Sequence, residues 1–149
     1  MKTLSSLCLA LAALCMTVFI SCDEDKAIGR GLQFDKVTIN PNNVTAGDST
    51  TVFINYKDKG AYILKAPYTV TLNAIIAGAP VNVKLHDRSY NSKQIPEHIG
   101  LNIPDTMKTG VYTVTLKCGN ISLYANAKDG TIYAPGSSVT TTLKINAKP

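Results

Sequence analysis

From Phe34 onward, apolar and polar residues alternate at a period of two. Val37 and Ile39 share one side of a first run. Val52, Ile54 and Tyr56 share a side of the second, with Phe53 opposite. The same alternation recurs through Tyr68, Val70 and Leu72, then Val81, Val83 and Leu85, then Ile99, Leu101 and Ile103. It continues through Tyr112, Val114, Leu116 and Cys118, and ends with Val139, Thr141, Leu143 and Ile145. Successive side chains of a strand point to opposite faces, so each run predicts a strand with one buried and one wet face. No stretch carries the spacing of an amphipathic helix. Turn residues separate the runs at Pro41-Asn42-Asn43, Ala46-Gly47-Asp48 and Lys57-Asp58-Lys59-Gly60. Asp129-Gly130, between Tyr124-Ala125 and Thr131-Ile132-Tyr133, predicts an extra hairpin, and Pro135-Gly136 leads into the last strand. The pattern predicts an all-β fold, an antiparallel sandwich of about seven strands over residues 34–149.

Two local patterns narrow this reading. Asp105-Thr106-Met107-Lys108-Thr109-Gly110-Val111-Tyr112 resembles the corner before the sixth strand of immunoglobulin-like domains. The resemblance implies that the Tyr112 hydroxyl bonds back to nearby backbone. Lys108 stands where such corners usually have Asp. Ile39-Asn40-Pro41, followed by Ala46-Gly47-Asp48, is similar to the opening of Ig-like modules of bacterial surface proteins. The likeness is one of architecture and names no specific family.

The chain before Phe34 reads differently. Met1-Lys2-Thr3 carries one positive charge, and an apolar run follows from Leu7 to Ile20. Spanning a bilayer needs about 20 apolar residues, so the run fits a secretory signal instead. It ends in Phe19-Ile20-Ser21-Cys22, followed by Asp23-Glu24-Asp25. This resembles the lipobox of bacterial lipoproteins, with Phe19 where Leu is usual. The resemblance implies removal of residues 1–21 and acylation of Cys22. The alternative is ordinary cleavage near Ser21, with Cys22 a free thiol. The acidic triplet resembles the export signal of Bacteroidetes surface lipoproteins. In proteobacterial lipoproteins, Asp after the Cys would instead mean retention at the inner membrane. The expectation is an outer-membrane protein held by lipid and facing outward, with a periplasm-facing orientation as the alternative. Residues 22–33 are polar and read as a tether.

Composition bounds the rest. A chain of 149 residues supports one domain, and 45% apolar content excludes a disordered chain. The net charge of +5 is spread singly along the strands and turns, which argues against a nucleic-acid partner. Of the four cysteines, Cys8 and Cys15 leave with the signal segment and Cys22 takes lipid. Cys118 then has no disulfide partner, so the core alone must hold the fold.

No catalytic constellation, metal site or cofactor site emerges. By strand parity His86 and His98 point outward, and a hairpin centred near Asn91-Ser92 would set them opposite each other. Cys118 lies on the apolar side of its strand and reads as packing. Asp58, Asp87, Glu97, Asp105 and Asp129 fall in predicted turns or loops. Ser49 and Thr106 sit in short Asp-Ser-Thr and Asp-Thr-Met patterns that resemble the O-glycosylation sequon of Bacteroidetes exported proteins. Tyr62, Tyr90, Tyr124 and Tyr133 lie outside the clearest core positions and are the candidate binding residues. The expected role is non-enzymatic, a surface binding or structural module. The alternatives are a glycan-binding component of a polysaccharide-uptake system and an inhibitor or immunity-type lipoprotein with a protein partner.

Overall fold

The computed structural model describes residues 28–126, 128 and 130–149. The expected signal segment, Cys22 and Asp129 lie outside the described residues. The elements are all strands: β1 (Gln33–Asn40), β2 (Asn43–Thr45), β3 (Ser49–Asp58), β4 (Ile63–Ile76), β5 (Ala79–Tyr90), β6 (His98–Asn102), β7 (Gly110–Cys118), β8 (Ile121–Tyr124), β9 (Thr131–Ala134) and β10 (Ser137–Asn146). They form a three-stranded sheet in the order β1-β3-β6 and a larger sheet built around β4 and β7. Every pairing is antiparallel except that of β10 with β2.

The strand count exceeds seven because long strands are interrupted. β7 and β8 both pair with β4, while β10 pairs with β7 and β9 with β8. The chain from Gly110 to Asn146 is thus one long hairpin, bent at Gly119-Asn120 on one arm and Pro135-Gly136 on the other. At the bend the Gly119 N–H donates to the Pro67 carbonyl at 2.9 Å. A Cβ on Gly136 would stand 1.9 Å from the Cys118 carbonyl oxygen, so only glycine lets the arms close there. The third interruption follows β1. Pro41 supplies no N–H, and the chain passes from the small sheet to the edge of the large one as β2.

The alternating faces meet in one core. Val52 and Leu101 of the small sheet, and Tyr68, Val70, Leu72, Val114, Leu116, Leu143 and Ile145 of the large one, are all but fully buried. Each such side chain contributes about 1.5–3 kcal/mol relative to exposure. Phe34 lies 5.7 Å from the rings of both Tyr56 and Tyr68, centroid to centroid. The hydroxyl of Tyr112 donates to the Lys108 carbonyl at 2.8 Å, the back-bond that the corner pattern implies.

Three expectations need correction. The last residues of the expected tether, 22–33, belong to the fold. Gly29 N–H donates to the Tyr124 carbonyl at 2.8 Å, Arg30 pairs with Ala61, and Leu32 is buried. The stretch is polar and carries two glycines with no alternation, so nothing in its sequence signals this backbone bonding. The hairpin setting His86 opposite His98 does not form. β5 turns back on β4 through Ala77-Gly78, and β6 pairs with β3, so His86 faces Val70 and His98 faces Phe53. Finally, a bulge at Leu85 breaks the parity of β5. Val81 and Val83 partner Ala74 and Leu72, but beyond the bulge His86, Arg88 and Tyr90 partner Val70, Tyr68 and Ala66. One extra residue moves these three side chains to the inner face.

Candidate functional site

Tyr90 is the candidate that the bulge removes from the surface. It is 9% exposed, packed edge-on against Tyr68 at 5.2 Å, and part of the core. Its hydroxyl lies 3.0 Å from His86 Nε2, the two rings are nearly parallel, and the Arg88 guanidinium sits 5.3 Å from the Tyr90 ring centre. Burial, aided by Arg88, holds the His86 imidazole below its ordinary pKa. The tautomer of the ring sets which of the two donates, and in either case the bond caps this edge of the core. His98 is exposed beside Phe53, with ring centres 6.3 Å apart.

The other three tyrosines stay at the surface: Tyr62 is 60%, Tyr124 42% and Tyr133 72% exposed. Backbone pairing brings them to one end of the molecule. The Tyr124 N–H donates to the Tyr62 carbonyl at 2.9 Å. Ile121 and Leu123 of β8 are buried, so Ser122 and Tyr124 face outward. Tyr133 partners Ser122 and therefore shares that outer face, diagonal to Tyr124. Tyr62, Leu64 and Tyr124 line an open hollow of about 380 Å³ with Asn91, Ser92 and Lys93.

Tyr62 holds its position at a cost. Its φ of 51° is in the left-handed region, where a residue with a Cβ carries about 1–3 kcal/mol of strain. Neighbouring backbone bonds fix it there. Ser92 N–H donates to the Ile63 carbonyl at 3.0 Å, and Ile63 N–H donates to the Ser92 hydroxyl. Leu64, 49% exposed, joins the patch and carried no signal in the alternation of the chain.

The remaining chemistry is dispersed. Asp58 takes a two-point contact from Arg30, whose guanidinium holds the carboxyl below its usual range. Glu97 pairs with Lys59, Asp87 with Lys84 and Asp105 with Lys148. These carboxylates each face a cation on the surface and form no acid pair. Asp87 lies within β5 and not in a loop. Cys118 is fully buried, and burial pushes its thiol up to about 12, far from a reactive thiolate at neutral pH. Among the described residues, no group of three His, Cys, Asp or Glu side chains is placed to hold a metal.

Between the start of β1 and the Pro135-Gly136 bend lies a second open hollow of about 600 Å³, lined by Arg30, Phe34, Asp58 and Ser137. The Ser137 hydroxyl there accepts from the Phe34 N–H at 3.1 Å, which stitches the two sheets. Of the glycan-pattern residues, Ser49 is exposed and donates its hydroxyl to Asn102 at 2.9 Å, and Thr106 lies exposed in the loop before β7.

No protein-family model matches the chain, and no curated protein matches it.

Proposed function

We propose that this is a lipid-anchored lipoprotein of the bacterial cell envelope that displays one immunoglobulin-like domain as a non-enzymatic binding or structural module. The observation that carries the anchor is Ser21-Cys22 at the end of the apolar run Leu7–Ile20, with acidic residues directly after it. Acylation at Cys22 would then leave a tether of at most the few residues before Gly29, whose N–H is bonded to Tyr124.

The domain reading has its own support. One edge strand crosses from the small sheet to lie parallel to the last strand, and the other strands pair antiparallel in two sheets. The Tyr112–Lys108 bond stands at the start of the penultimate long strand, where the corner of such domains lies. A rigid sandwich on a short tether suits display. Its exposed chemistry is a surface patch, and Asp58, Asp87, Glu97 and Asp105 are each paired with a cation. An outer-membrane location belongs to this proposal.

The test is Cys22→Ala, with fractionation and mass analysis of the N-terminal peptide. The reading expects acyl mass on Cys22 in the natural protein and loss of the variant into the soluble fraction. A variant that stays with membranes, or a natural peptide without acyl mass, overturns it.

A further inference from the structure

Large apolar and aromatic side chains exposed on the domain are unevenly placed. Of the eight that are exposed among the described residues, Phe53, Ile75 and Val111 lie apart from the tyrosine patch. The other five are Ile28, Tyr62, Leu64, Tyr124 and Tyr133. These gather where the chain enters the fold, because Gly29 is bonded to Tyr124 and Arg30 to Ala61. Two lysines accompany them. Lys65 and Tyr133 both partner Ser122, so the three form a row across β4, β8 and β9. Lys93 lines the hollow between Tyr62 and Tyr124. Both lysines are exposed.

We infer that this patch is a membrane-facing contact, seated in the lipid interface beside the protein's own anchor. The inference rests on the proposed acylation of Cys22. Ile28 is six residues after Cys22, and fully extended that span reaches at most about 20 Å. The end that carries Ile28 is thus held at the bilayer surface, and the patch is at that end. Its chemistry fits that solvent. Tyrosine places an apolar ring among acyl chains and a hydroxyl among headgroups, and lysine extends its ammonium outward from an apolar stem. An apolar contact near the anchor also supplies the second signal that strengthens a lipid tether. A soluble glycan or protein ligand would have to enter between this end and the bilayer, so lipid is the occupant that the geometry favours.

The protein carries its own probe. It has seven tyrosines and no tryptophan. Tyr68, Tyr90 and Tyr112 are buried and Tyr56 is half-buried, which leaves Tyr62, Tyr124 and Tyr133 as the exposed rings. The experiment uses full-length protein extracted from its membrane and reconstituted in phosphatidylethanolamine vesicles with a minor share of phosphatidylglycerol, with and without brominated acyl chains. Bromine quenches tyrosine fluorescence only on contact with the chains. The expected result is clear quenching in brominated vesicles, at least halved by Tyr133→Ser and abolished in the Tyr62→Ser/Tyr124→Ser/Tyr133→Ser variant. The single variant at the most exposed position keeps the test valid if the triple variant fails to fold. Acyl mass on Cys22 without quenching overturns this inference and leaves the lipoprotein reading intact. Absence of acyl mass overturns both. Retention on a polysaccharide gel that Tyr133→Ser abolishes, without quenching, also overturns it and assigns the patch to sugar.

Discussion

The hydroxyl of Tyr68 lies 3.1 Å from that of Tyr56, across the gap between the two sheets. Tyr56 gives its own proton to the Pro96 carbonyl at 2.5 Å, so Tyr68 is the donor of the pair. The order of this relay makes the two tyrosines unequal. Tyr68→Phe removes one bond and leaves Tyr56 still donating to Pro96, at a cost of about 1 kcal/mol. Tyr56→Phe strands both the Pro96 carbonyl and the Tyr68 hydroxyl, at a cost of about 2–3 kcal/mol. Urea unfolding of the two variants checks the order, and equal losses would refute the relay.

The bend in the long hairpin predicts a sharp difference between glycines. Gly136→Ala drives a methyl group into the Cys118 carbonyl, and backbone on both arms must move. The loss should be at least about 2 kcal/mol. Gly130 has a positive φ of 67° but open space around the added carbon. Gly130→Ala should cost only about 1 kcal/mol, from strain alone. A shared midpoint shift in denaturant would mean that the arms do not close as described.

Alkaline pH should unfold the protein through its buried acids. Burial pushes Cys118 from 9.0 to about 12 and Tyr56 from 10.0 to about 12, and it raises Tyr68 as well. Between pH 9.0 and about 12 the unfolded chain therefore holds fewer protons than the native one, and stability falls as pH rises. Below pH 9.0 these groups stay protonated in both states and contribute their full stabilisation. Denaturation midpoints should be level between pH 6.5, the ordinary histidine value below which His86 costs stability, and pH 9.0, and decline above it. Cys118→Ala should move the start of the decline toward 10.0, the ordinary tyrosine value. Native Cys118 should also resist maleimide until denaturant is added, whereas rapid labelling would contradict its burial.

The Tyr112 back-bond predicts a purely local loss. Tyr112→Phe keeps the buried ring and removes only the bond to Lys108. Stability should drop by about 1 kcal/mol with no change in the steepness of the urea transition. A change in steepness would mean that the loop before β7 loosens as a whole.

Much of the fold is legible along the chain because a strand with one buried face writes its period into the sequence. Val52-Phe53-Ile54 and Tyr112-Thr113-Val114 show this, as each inward residue is buried and each outward one exposed. The bulge at Leu85 is not legible. No residue type marks it, and the parity of Val81, Val83 and Leu85 projects past it to the wrong face for His86. The same parity puts Tyr90 on the wrong face. The patch was half legible. Tyr62, Tyr124 and Tyr133 stand out as tyrosines outside the alternating core, but their convergence depends on β8 pairing with both β4 and β9. Pairing between segments some 60 residues apart leaves no local trace, and Leu64 reads like any strand residue until its neighbours are placed.

The first strand also sets how the domain bears load. β1 begins beside the point where the chain enters, at Gln33, and runs away from it to Asn40, paired with β3 at seven positions from Gln33–Asp58 to Asn40–Thr51. A pull applied at Ile28 loads the Gly29–Tyr124 and Arg30–Ala61 backbone bonds first and then reaches β1 at its Gln33 end, a strand that runs away from the pull. Its hydrogen bonds to β3 are then sheared together instead of being peeled one after another. Forced unfolding is governed by the barrier out of the native state, and shear across a whole ladder raises that barrier. Drag on the domain would be resisted by this geometry in the direction from which it would come.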